Sequence, residues 1–179
     1  MTKSIKLNAA NILNIKKKID SEITDYSHII REENVMSKKA IAAGKGSGYD
    51  LKALYNTIQQ LRNKRIMLKG MIQYLNMGKT TFNYEEFKKT NYFAIFSACE
   101  AKEDITMLKM TKTLNPQTKA QKGSKALACK ETFSKEKIAQ LIHDQQLEAN
   151  KFDAILTKFN TETSIEFDNT DEFKEYIAA

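Results

Sequence analysis

Four consecutive residues, Gly78-Lys79-Thr80-Thr81, have the types that close a phosphate-binding loop, in which backbone amides and a lysine cradle an anion. The frame around them does not suit that chemistry. A glycine is required five residues before Gly78, and that position is Gln73. The motif also needs a strand before it and a helix after it, whereas here a helical pattern precedes and a short extended one is expected to follow. Gly78 reads instead as the left-handed residue that ends a helix.

The other groups able to do chemistry lack partners in the sequence. His28 lies beside an apolar stripe and His143 lies far along the chain, with no shared Cys or acid spacing that would hold a metal. Cys99 and Cys129 are isolated and read as two reduced, mostly buried thiols. Glu85-Glu86 sit at a helix start, where the helix dipole favours negative charge. No nucleophile is placed in a strained turn beside an orienting base. These residues predict a protein that is not an enzyme and takes no cofactor and no metal.

What remains is cationic. The net charge is +7, unevenly spread. Residues 34–81 carry nine Lys/Arg against Asp50 alone, a balance of +8. Residues 102–130 carry seven Lys against Glu103 and Asp104, a balance of +5, and residues 131–179 carry five Lys against eleven acids, a balance of −6. Either the basic middle faces the acidic C-terminal third, or it faces an acidic partner. Lys38, Lys39, Lys45, Arg62, Lys64 and Lys69, with Lys119, Lys122 and Lys125, are the candidate contacts to such a partner or to nucleic-acid phosphates. No helix-turn-helix, zinc finger or aromatic stacking sheet accompanies them.

The elements that carry these residues are helical. Ile12, Ile15, Ile19, Ile23, Tyr26 and Ile30 recur in steps of three and four and predict a helix over 7–33. Gly44, Gly46 and Gly48 interrupt the pattern and predict a flexible loop over 44–48. Asp50 is placed to cap a second helix, 50–76, whose seam runs Leu51, Leu54, Ile58, Leu61, Arg65, Leu68, Ile72, Leu75. Arg65 breaks this seam, either snorkelling to its edge or pairing with an acid on a facing helix, and Glu148 is a conceivable partner. The two helices are expected to form an antiparallel hairpin, residues 1–83.

Residues 84–179 form the second half. Phe82 and Tyr84 suggest a brief strand, and Phe87, Tyr92, Phe93, Ile95 and Phe96 mark the densest core. Asn115-Pro116 ends a helix and opens a basic loop, 115–125. Ala126 to Phe133 is a candidate strand, and Ser134 caps a long helix over 134–160, with Gln145 and Glu148 where its stripe would be apolar. Two helices then end alike, Asn76 before Thr80-Thr81-Phe82 and Asn160 before Thr163 to Phe167, which predicts one helix-to-strand unit used twice.

At these endings the chain resembles the septicolysin-like family, small helical proteins of unknown activity with bacterial and mobile-element members. The matching stretches are Leu51 to Thr81 and Ala126 to Phe167. The resemblance implies the architecture only: helix, variable loop, a helix ending in Asn and Thr, a middle helical section, a short extended segment and a last helix. It supplies no catalytic residues.

The expected fold class is mainly α, antiparallel coiled-coil hairpins with two or three very short β-strands, together one composite domain. No apolar run approaches the ~18 residues that span a bilayer, and the polar start Met1-Thr2-Lys3-Ser4 is no secretory leader, so the expected location is the cytoplasm. The expected function is a non-enzymatic scaffold or interaction protein, a homo-oligomer that docks on another macromolecule. The Lys/Asn-rich, Pro-poor composition together with the resemblance fits a phage or mobile-element product of a low-GC bacterium, either a virion component or an inhibitor of a host defence complex. The alternative is a nucleic-acid-binding protein acting through 38–69 and 119–125.

Overall fold

A computed structural model describes residues 6–44, 48–114 and 129–164. Helix α1, Ala9–Glu33, starts where the Asn8 side chain accepts the Asn11 amide at 2.8 Å. Strand β1, Val35–Ser37, and a five-residue helix α2, Lys38–Ala42, follow it. Helix α3, Leu51–Asn76, starts at Asp50, whose carboxylate accepts from the Lys52 and Ala53 amides. These caps satisfy amides that a helix start otherwise leaves unpaired.

Helices α1 and α3 form the expected antiparallel hairpin. Ile12, early in α1, lines a surface hollow with Met71 and Leu75, late in α3, while Asp20 meets Arg65 nearer the middle. Ile12, Ile19, Ile23 and Ile30 face Leu51, Tyr55, Ile58, Leu61 and Leu68 in one apolar core. That core is closed by Met107, Leu108, Phe133 and Ile138 from the second half of the chain.

The end of α3 is a Schellman turn. Gly78 has φ +71°, its amide donates to the Leu75 carbonyl, and the Lys79 amide donates to the Tyr74 carbonyl, both at 2.9 Å. The Gly78 and Lys79 amides therefore point back into a helix end. No strand follows. Phe82 folds back edge-on to Tyr74, ring centroids 5.2 Å apart, and Tyr84 opens a short helix α4, Tyr84–Phe87. Asn83 decides this: its side chain caps the Glu85 and Glu86 amides, and both acids sit in the favourable first turn.

Helix α5, Asn91–Lys109, and helix α6, Lys135–Glu162, form the most extensive helix pair. Buried Ala94, Ala98 and Ala101 on α5 and Ala149 on α6 explain the close approach, since small side chains shorten the distance between axes. Strand β2, Cys129–Glu131, falls within the stretch expected to be extended. Its partner is β1, antiparallel, with Met36 opposite Lys130. The sheet thus joins the end of α1 to the approach to α6, not the two Asn-Thr endings. At the second ending, Thr163 and Ser164 form no strand, and 165–167 lie outside the described residues.

Asn34 fastens this junction. It is fully buried; its amide nitrogen donates to the carbonyls of Lys112 (2.7 Å) and Phe133 (2.8 Å), and its side-chain oxygen accepts the Phe133 amide (2.7 Å). One side chain thereby fixes the ends of α1 and α5 and the entry to α6. The architecture is mainly α, helical hairpins with one two-stranded antiparallel sheet among the described residues.

Candidate functional site

The densest polar chemistry lies where α3 crosses α5. Arg62, Arg65 and Lys69 recur on α3 at steps of three and four, which puts them on neighbouring turns. On α5, Glu103 and Asp104 lie three and four residues beyond Glu100, one turn on. Arg65 binds the Glu100 carboxylate through two nitrogens, Nε and Nη2, and Nη2 also reaches Glu103. Its Nη1 reaches Asp20 of α1 at 3.1 Å, and Lys16 pairs with the same carboxylate at 2.6 Å. Lys69 donates to Glu100 at 2.9 Å. Arg62 donates to the Glu100 backbone carbonyl at 2.6 Å and stands 3.4 Å from Asp104 Oδ1.

Asp104 has no exposed surface. Its Oδ2 accepts from the Tyr55 hydroxyl at 2.7 Å and from Gln59 at 2.9 Å. Burial pushes its pKa above the ordinary carboxylate value, and the Arg62 charge opposes this only in part. Burial, with the Asp104 charge beside it, also raises the Tyr55 phenol, so Tyr55 is a neutral donor. Arg65 shows the opposite balance: burial disfavours its charge, but Glu100, Glu103 and Asp20 outweigh burial and hold its pKa above the ordinary value.

The seam-breaking Arg65 therefore does pair with acids on facing helices. These are Glu100, Glu103 and Asp20, and not Glu148, which pairs with Lys151 on its own helix. Among the described residues, the basic stretch of α3 is matched by α5.

The candidate contact residues separate. Arg62 is 4% exposed and Lys69 is bound to Glu100, so both point inward. Lys64 is exposed on α3, and Lys38 and Lys39 are exposed on α2. Lys64 lies thirteen residues beyond Leu51, about 20 Å along the helix, so it does not share a patch with α2. Lys45, Lys119, Lys122 and Lys125 lie outside the described residues.

Among the described residues no group of three His, Cys, Asp or Glu is placed to hold a metal. Cys99 is exposed and Cys129 is half-buried, so the two thiols are not both buried as expected. Cys99 shares the outward face of α5 with Tyr92 and Ile95, at steps of three and four. No helix among the described residues is long and apolar enough to cross a membrane.

The acids on α5 were the residues that sequence reasoning missed. A signal existed: Glu103 and Asp104 stand three and four residues beyond Glu100, an acidic cluster on a helix otherwise rich in apolar residues. The arrangement holds three helices in one register, because sliding α5 along α3 by a turn would strand buried charges. Beside it lies a cavity of about 210 Å³ between α3, α5 and α6, lined among others by Gln59, Arg62, Ser97, Gln145, Glu148 and Phe152. No family model, no curated protein and no solved structure matches this chain.

Proposed function

We propose that this chain is a non-enzymatic helical scaffold, phage or mobile-element encoded, that docks on another protein through the far end of α6. One observation carries the reading. Phe152 of α6 packs on Phe93, the third residue of α5, with ring centroids 5.9 Å apart, and ten residues of α6 follow Phe152. The first of them, Asp153, pairs with Lys102 of α5, and from Thr157 onward α6 is exposed. Ile155 and Phe159, one turn apart, are 50% and 42% exposed. An uncovered apolar edge on a helix end is a surface that another chain buries. A second copy is the first expected occupant, and a host or virion protein the next.

The test is light scattering after size exclusion, with a tagged pull-down from source-cell lysate split into nuclease-treated and untreated halves. An oligomer, or a defined protein retained after nuclease, supports the reading. A monomer that retains no protein ends it.

The nucleic-acid reading is favoured by the exposure of Lys38, Lys39 and Lys64. It predicts retention that falls by orders of magnitude between about 50 and 200 mM salt. Retention that is flat across that range excludes it.

A further inference from the structure

The hollow between the start of α1 and the end of α3 is apolar within and basic at its edge. Leu7, Met71, Leu75 and Phe82 leave half-buried apolar surface around a space of about 610 Å³, inside the roughly 300–1,000 Å³ range of ligand sites. Lys6 and Lys79 are exposed at its rim, and no acid lines it. Neither lysine has an ion-pair partner among the described residues. Lys79 holds its ammonium 4.7 Å from the centre of the Tyr74 ring, and Glu86, which borders the adjoining hollow with Lys79, is taken by Lys89. A fitting occupant is apolar on one side and acidic on the other.

The chain itself carries such a segment. Residues 165–179, outside the described residues, hold Ile165, Phe167, Phe173, Tyr176 and Ile177, with five acids against Lys174 alone. The hollow is within their reach. Ring contacts of 6.2, 5.7 and 5.9 Å lead from Tyr74, at the hollow, through Phe87 and Phe93 to Phe152 of α6. Helix α6 continues ten residues beyond Phe152, about 15 Å, and Thr163 and Ser164 follow. Even laid end to end, that path is shorter than the ~50 Å that fifteen extended residues span.

We infer that residues 165–179 dock in this hollow of their own chain, with Phe173 and Tyr176 against its apolar lining and the acids beside Lys6 and Lys79. Removing two aromatic side chains from water drives the docking. The lysines set its polarity and add little at an exposed rim. A tethered segment stands at an effective concentration on the order of millimolar, so contacts too weak to hold a free peptide suffice. Any outside chain that uses the hollow has to displace it. The inference does not rest on docking through Ile155 and Phe159.

The experiment treats an equal mixture of isotope-labelled and unlabelled full chain with a carbodiimide, which joins a lysine amine to a carboxylate in contact with it. Linked peptides are read by mass spectrometry. Lys102 and Asp153, an exposed pair at 2.9 Å, serve as the internal standard. Lys6 and Lys79 are expected to link to acids within 166–175, in products of one isotope only. Phe173→Ser with Tyr176→Ser keeps every acid and the tether. It should lower those links roughly fivefold or more and leave the Lys102–Asp153 link unchanged. Links that survive the double variant undiminished would be collisions of a tethered acid, and would overturn the inference. Links that join labelled to unlabelled chains as often as like to like would assign the hollow to a second copy, which also overturns it. So would the absence of any link to 166–175 while the standard forms. Light scattering and pull-down of the unaltered chain test docking through α6 separately, so either reading can fail alone.

Discussion

Arg65 and Asp104 sit in one network but answer differently to substitution. Removing one partner of a buried pair leaves the other charge uncompensated, so Arg65→Ala is expected to lower unfolding stability by about 3–5 kcal/mol, read by chemical denaturation. Replacing Arg65 and Glu100 together with Met should recover only part of that loss, because the buried Arg65–Glu100 pair goes as a unit while Lys69 loses its carboxylate. Asp104 governs a pH dependence. Its folded pKa is raised, chiefly by burial, so the folded state holds the proton at pH values where the unfolded chain has lost it. This contribution to stability is complete below the unfolded value, 3.8, and is lost as pH rises from there through the raised folded value. Asp20 has the opposite sign. Burial raises its pKa, but Lys16 and Arg65 together outweigh that, and its contribution holds above 3.8 and is lost as pH falls through its lowered value. Denaturation from pH 4 upward should therefore show a falling component that Asp104→Asn removes.

At the scale of elements, the meeting of α3 with α4 is decided by one missing side chain. A Cβ on Gly70 would lie 2.6–2.8 Å from the ring of Phe87, which is fully buried among Tyr74, Phe82, Tyr84, Phe93 and Phe96. Ala is a better helix former than Gly by about 1 kcal/mol. Even so, Gly70→Ala is expected to destabilise by a net ~1–2 kcal/mol, because overpacking costs more than the propensity returns. Adding Phe87→Leu should restore part of the loss in thermal melts.

Helices α1, α3 and α6 were legible in the sequence because their apolar spacing and their caps, Asp50 and Ser134, agree. The strand after Phe82 was misread because Asn83 caps a turn that aromatic β-propensity obscures. The pairing of β1 with β2 was not legible, since three-residue strands carry no periodicity. The ion network was half legible: Arg65 announced a buried charge, but only the fold selects Glu100 over Glu148.

Across the whole molecule, the excess of positive charge is not a measure of what is displayed. Arg62, Arg65 and Lys69 are consumed internally, while the apolar end of α6 is left open. Ile155→Lys with Phe159→Lys should leave the melting temperature within a few degrees, because those side chains are already half exposed. The same double variant should abolish oligomer or partner capture in the light-scattering and pull-down assays. A variant that melts early but still associates would place the docking surface elsewhere.

Asn34 holds the Lys112 carbonyl on one side of residues 115–128 and both backbone groups of Phe133 on the other. These bonds tie the two halves of the chain to each other directly. Expressed as separate polypeptides, 1–114 and 129–179 should reassemble and co-purify through the α5–α6 packing, and Asn34→Ala should weaken the reunion. The molecule would then serve as a split reporter whose affinity is tuned at a single carboxamide.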